Sequence, residues 1–211
     1  MFTTIILLLS IAKMYDQNYS HVLSETLQES EKHKVFISFH HEDQLYRDKF
    51  DSLYGNYFIS KSVETGNIDP DNSDEYIKRL IQDEHISDSS VVVALYGANT
   101  WKRKHVDWEV YAALDKKVGG YSGLMVMVLP NFPVDPFDSF RRYDERQLYP
   151  YFHPRTAANI NSGFASVYYW PGMYPSLPTV QITDAFKLAF DKRVTHKQLI
   201  DNSHPQFQNN R

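Results

Sequence analysis

The sequence predicts a flavodoxin-like, doubly wound α/β domain: a parallel sheet of about five strands with helices on both faces. Three observations carry this. Short runs rich in β-branched and aromatic residues recur at 34–39, 57–63, 90–97, 123–130 and 166–171. Stretches with apolar residues at helical spacing separate them. The run "SVVVALYG" is continuously apolar, as expected of a central parallel strand covered on both sides.

Taken in order, "KVFISF" at 34–39 is the expected first strand, and a helix over about 42–54 follows, with Leu45, Phe50, Leu53 and Tyr54 available to face inward. "YFISKSV" at 57–63 reads as a second strand. In the loop "ETGNIDPDNSD", Asn72 or Ser73 can cap a helix over about 74–84 whose stripe is Ile77, Leu80 and Ile81, with Glu84 at its edge. After "SVVVALYG", the stretch "KHVDWEVYAALDKKV" is the third helix, with Val106, Val110, Ala113 and Leu114 as its buried stripe and Trp108 pointing away. "GGYSG" at 119–123 reads as a helix stop and turn. "GLMVMVLP" is the fourth strand, "SVYYWP" the fifth, and a last helix at about 183–199 buries Ala185, Phe186, Ala189 and Phe190. The folded domain is expected over 34–200, with a Pro- and Tyr-rich insertion at about 131–178 and a polar tail at 201–211.

The N-terminal 33 residues stand apart. "FTTIILLLSIA" at 2–12 is apolar but shorter than the roughly 20 residues a membrane-spanning helix needs. A secretory signal would suit its length, yet no Lys or Arg precedes it. An extra packed element, or a true start at Met14, are the competing readings, and a cytoplasmic location is the main expectation, with secretion or membrane anchoring the minor one.

With 211 residues, 42% of them hydrophobic, the chain can bury one ordinary core. A formal net charge of −4 argues against a general nucleic-acid binder. The lack of cysteine excludes disulfides, thiolate metal sites and a cysteine nucleophile. Neither G-x-G-x-x-G after the first strand nor a P-loop occurs, and the histidines form no H-E-x-x-H. His40 and His41, adjacent at a strand end, are expected on opposite sides and poorly placed to share a metal, so no metal site is expected.

Ligands of doubly wound sheets bind outside the C-terminal strand ends. Two groups of residues fall there. "FISFHHED" delivers Phe39, His40, His41 and Asp43, an aromatic and two imidazoles suited to stacking on a base, or equally a core-closing Phe with two solvated histidines. The loop after the third strand carries Asn99, Trp101, Lys102, Arg103 and Lys104, and Glu109 enters the helix beyond. An acid early in a helix is favoured by about 0.3–1 kcal/mol, which suffices for Asp107. Around Glu109, aromatics and cations able to hold a diphosphate are also what cleavage of a nucleotide's glycosidic bond requires, since a fixed carboxylate stabilises the ribosyl cation left behind.

"KVFISFHHED", "SVVVALYGANTWKRKHVDWEVYAAL" and "GLMVMVLP", in that order, resemble the Toll/interleukin-1 receptor (TIR) fold, in particular the TIR-like proteins of Thoeris anti-phage defence, whose pattern has an F-x-S-F-H strand end and a W-V-x-x-E helix start. The likeness covers about 34–130. It implies an enzyme that cleaves NAD as a substrate, with no cofactor, releasing nicotinamide and making an ADP-ribose-derived signal, cyclic or conjugated, that activates a partner effector. On that likeness Glu109 is the catalytic residue, Ser38, Phe39, His40, Asn99 and Trp101 line the nucleotide pocket, and Arg103 or Lys102 pairs with phosphate. Asp43 matches the family's acid after the first strand, with a helix-cap role equally open. A phage component as trigger and self-association are further expectations, and nucleic acid is not an expected partner. Trp108 directly before the glutamate and the long 131–178 segment depart from the pattern. The alternative is a non-catalytic interaction module of the same fold.

Overall fold

Parallel strands need crossover connections, and in the computed structural model each crossover among the described residues carries helix. The structure describes residues 32–61, 73–116, 120–134, 145–172 and 181–211, without the side chains of 84, 85 and 145–147. The apolar run at 2–12 lies outside them, and no helix among them is long and apolar enough to cross a membrane. The strands are β1 (His33–Ser38), β2 (Phe58–Ser60), β3 (Val91–Tyr96), β4 (Gly123–Val128) and β5 (Ser166–Tyr169). The helices are α1 (Gln44–Tyr54), α2 (Asp74–Leu80), α3 (Lys104–Leu114), α4 (Pro154–Asn161) and α5 (Ile182–Thr195). The sheet order is β2-β1-β3-β4-β5, every pairing parallel. This is the flavodoxin-like arrangement expected from the sequence.

Side-chain alternation splits the core into two layers. On one face Phe36, Val92, Ala94, Leu124, Val126 and Val128 pack with residues of α2, α3 and α4. On the other, Val35, Ile37, Val91, Val93, Met125 and Met127 meet Phe50 of α1 and Ile182, Ala185, Phe186 and Ala189 of α5. There α5 lies directly on β4: a Cβ on Gly123 would sit 1.9 Å from the Ala189 carbonyl oxygen, so only glycine fits.

Several local expectations need correction. Helix α1 turns inward the aromatic row Tyr46, Phe50 and Tyr54, with Phe50 buried and both tyrosines half-buried, whereas Leu45 and Leu53, a step around the helix, are exposed. Ring contacts decide the rotation: Tyr46 meets Trp170 at 5.3 Å and Phe50 meets Phe186 at 6.4 Å between centroids. Helix α2, capped by Ser73 Oγ accepting from the Tyr76 N–H, runs on as a wider π-type turn over Ile81–Ile86, which keeps Ile81 and Ile86 in the core. Phe190 is half-buried, stacking on His33 at 4.3 Å. The segment 131–178 contributes the 3-10 turn Glu145–Tyr151, α4 and β5, a structural wall of the domain. Residues 201–211, polar in composition, run as an irregular strap that buries Phe207.

Candidate active site

In this strand order the crossovers run in opposite directions from β1 and from β3, so the switch point, where sheets of this kind bind ligands, falls between their C-terminal ends. Ser38 ends β1 two residues after Phe36, and alternation aims it at the face covered by α3. Glu109 stands three residues after Val106 and one before Val110, on the same side of α3, which presents it to the strand end. The two meet: Ser38 Oγ–H donates to Glu109 Oε2 at 2.5 Å.

This carboxyl is poorly hydrated. Loss of water pushes its pKa up to about 7, and the Ser38 hydrogen bond opposes part of that rise. The side chain nevertheless keeps some accessible surface, so a solute at the switch point can reach it. A partly accessible acid with its pKa raised in this way is a candidate for a working group.

The loop after β1 turns at once into a 3-10 turn, His41–Asp43, which brings the His40 and His41 rings into edge contact at 4.1 Å rather than onto opposite sides. Ring nitrogens of both histidines and a Glu42 oxygen lie within 4.8 Å of one another. Asp43 stands at the N-cap position of α1, but its side chain makes no capping hydrogen bond. Buried, it accepts from Thr100 Oγ1 at 3.1 Å and Asn131 Nδ2 at 2.8 Å, tying together the loops after β1, β3 and β4. A Cβ on Gly97 would lie 2.4 Å from this carboxylate, which explains the glycine after β3.

Opposite lies the loop after β3. Asn99 Nδ2 donates to Glu42 Oε2 at 2.9 Å, and Lys102 Nζ donates to Asn99 Oδ1 at 3.0 Å. Arg103 approaches Glu42 at 3.5 Å and His40 Nε2 approaches it at 3.4 Å. Burial, then the neighbouring Arg103, holds the His40 pKa below the ordinary histidine range, so the ring is neutral. Trp101 meets the Tyr151 ring edge-on at 5.8 Å under the Lys102 ammonium. Thus Ser38 meets Glu109, while His40, Asn99, Lys102 and Arg103 gather around Glu42. Phe39 goes to the opposite face, packing against the α1 and α5 layer.

Sequence reasoning missed what holds α3. Trp108, expected to point away, is buried, and its Nε1–H donates to the Phe207 carbonyl at 2.8 Å. Asp107 is buried too, accepting from the Phe207 N–H at 2.8 Å and from Arg155 Nε at 3.4 Å. Arg155, fully buried, also donates to the Asn202 and His204 carbonyls of the strap. Asn210 Oδ1 accepts from the Lys104 N–H at 3.0 Å, and the Arg211 N–H reaches the Lys102 carbonyl at 2.9 Å. The strap thereby satisfies groups at the start of α3 that would otherwise be orphaned. A groove of about 510 Å³ runs along it between Pro154 and Arg211, its walls including neither Ser38 nor Glu109.

His153 secures the same loop from within. Its Nε2 lies 3.0 Å from the Arg103 carbonyl, which can only accept, so Nε2 carries the proton and Nδ1 accepts from the Tyr96 hydroxyl at 2.7 Å. Thr156 Oγ1–H then donates to the Tyr96 oxygen at 2.8 Å. Burial pushes the His153 pKa down to about 3 and the Tyr96 pKa up, keeping both neutral. A Pro at the first position of α4 and Trp, Tyr and Phe scattered nearby were the only sequence signals for this arrangement.

The five-stranded parallel sheet in flavodoxin order is consistent with a TIR-like fold. Residues 36–132 match the family model described as Thoeris protein ThsB, TIR-like domain, a match to a little under half of the 211 residues. Over this segment the chain is similar to the TIR-like domain of that Thoeris family. No curated protein and no solved structure matches it.

Proposed function

We propose that the domain cleaves NAD, with Glu109 as the catalytic residue. The Ser38–Glu109 pair at the switch point is the observation that carries this reading, and the match of residues 36–132 to the Thoeris TIR-like family model supports it. In the reaction, the bond between ribose C1′ and the nicotinamide nitrogen breaks, its electron pair leaves with neutral nicotinamide, and positive charge spreads over C1′ and the ring oxygen. The ionised Glu109 stabilises that charge, in a poorly hydrated setting where such stabilisation is strongest. Ser38 holds the carboxylate in one orientation. Water or a hydroxyl of a second molecule, or a nucleophilic atom of the same nucleotide, then captures C1′ and releases one proton, giving linear, conjugated or cyclic ADP-ribose. Trp101, backed by Tyr151, offers an aromatic wall, and Arg103 and Lys102 offer charge to the diphosphate. The product would act as a diffusible signal to a partner effector, with a phage component as trigger and self-association as a route to activation.

The test is nicotinamide release and product mass from purified wild type and Glu109→Gln, each with NAD, alone and in lysate from phage-infected cells. Release by wild type only is the expected result. Turnover that survives in Glu109→Gln would remove the catalytic assignment, and silence of the folded wild type in both conditions would favour the interaction module.

A further inference from the structure

The loop pair after β1 and β3 holds more hydrogen-bond donors than its acceptor can use. Asn99 Nδ2, His40 Nε2 and the Arg103 guanidinium all converge on the Glu42 carboxylate, at 2.9, 3.4 and 3.5 Å. Lys102, bonded to Asn99 Oδ1, fixes that amide so that its NH2 group points to Glu42. His40 is only 5% exposed, yet its Nε2 makes no hydrogen bond of normal geometry among the described residues, and Arg103 Nε has no partner either. Buried donors of this kind are ordinarily satisfied, and where they are not a ligand is a common reason. A carboxylate has two oxygens to share among these groups. A diphosphate carries more, with more charge, and matches the guanidinium fork. Glu42 itself is about half exposed, 48%, on a three-residue turn, so it can rotate into water without disturbing the core. The sign of the field decides between ligands: Arg103 and Lys102 both disfavour a cation bound by His40, His41 and Glu42.

We propose that Asn99, His40, Lys102 and Arg103 form the subsite for the substrate's diphosphate, and that Glu42 occupies it in the resting protein as an internal anion which the substrate must displace. This rests on the NAD-cleaving reading for the identity of the ligand, but not for the existence of an anion subsite. Glu42 then sets the substrate concentration at which the site fills, without touching the reacting atoms. It is a gate on binding, and its removal shows in KM rather than kcat.

The experiment is a calorimetric titration of ADP-ribose and, separately, adenosine into wild type, Glu42→Gln and the double variant Glu42→Gln with Arg103→Gln, with folding of each confirmed by circular dichroism. Glu42→Gln keeps size and an acceptor for Asn99 and deletes only the charge. The expected result is about 3- to 10-fold tighter ADP-ribose binding in Glu42→Gln, unchanged adenosine binding, and loss of the gain in the double variant. Unchanged or weaker ADP-ribose binding in Glu42→Gln, or no binding to any of the three proteins, would overturn the proposal. Tighter ADP-ribose binding alongside no nicotinamide release by wild type would keep the subsite and sink the NAD-cleaving reading. Release that depends on Glu109 alongside indifferent ADP-ribose binding would do the reverse.

Discussion

Glu109→Gln should stabilise the protein, and by an amount that depends on pH. The folded environment raises the carboxyl from its ordinary 4.5 to about 7, so the folded state holds its proton more tightly than the unfolded chain does. For a raised acid, the contribution to stability is fully present below pH 4.5 and is lost as pH climbs through 7. At about 1.4 kcal/mol per pH unit, the interval caps the loss at about 3 kcal/mol, and the partial accessibility of Glu109 brings it toward the range of roughly 1–3 kcal/mol. Glutamine carries no such penalty and can still accept from Ser38. Urea denaturation of both proteins between pH 4 and 8.5 should therefore show a stability gap near zero at pH 4, widening through neutrality and level above about pH 8. A gap of constant size across that range would refute the reasoning, since deletion of an ordinary solvated carboxylate or a simple packing change leaves no such curve.

Two further outcomes follow from the same geometry. Ser38→Ala removes the hydrogen bond that favours the charged form of Glu109, so the midpoint of that stability curve, and the acid limb of nicotinamide release, should move to higher pH by up to about one unit; an unmoved midpoint would mean the bond is incidental. Arg155→Met strands Asp107 as a buried uncompensated acid and unties the strap, which should cost about 3 kcal/mol or more and lower Tm by roughly 10 °C in calorimetry, whereas adding Asp107→Asn should recover part of the loss.

The layers of the fold were legible because periodicity reports burial. The Val-rich β3, the alternation of β1 and the Val106, Val110, Ala113 and Leu114 stripe each state which face is covered. Glu109 was legible for the same reason: it is an acid on an otherwise apolar face. Where burial arises from segments distant in sequence, the pattern says nothing. Trp108 reads as solvent-facing until residues nearly a hundred positions later cover it, and Asp107 reads as an ordinary acid early in a helix until Arg155 arrives from α4. Leu45 and Leu53 misled because α1 had two apolar rows to choose between, and the choice was made by Trp170 and Phe186 on the same face of the sheet. His40 and His41 misled because strand alternation stops where the 3-10 turn begins.

Two kinds of polar group therefore surround α3. Beneath it, Asp107, Arg155, His153 and Tyr96 are buried and each has a hydrogen-bond partner of defined role, which fixes the position of the helix start and of the Arg103 backbone. At the switch point, His40 Nε2, Trp101 Nε1 and Arg103 Nε are left without one among the described residues, and Glu109 is held in a setting that resists its charge. Groups in the first set are hydrogen-bonded within the fold; in the second, hydrogen-bonding capacity is left unmet. Unmet hydrogen-bonding capacity thus gathers on the loops after β1 and β3, in His40 Nε2, Trp101 Nε1 and Arg103 Nε. That capacity is available to a ligand that is anionic at one end and develops positive charge at the other. A dinucleotide losing a neutral base has both properties, so the unsatisfied half of the site matches the proposed chemistry as closely as the Ser38–Glu109 pair does.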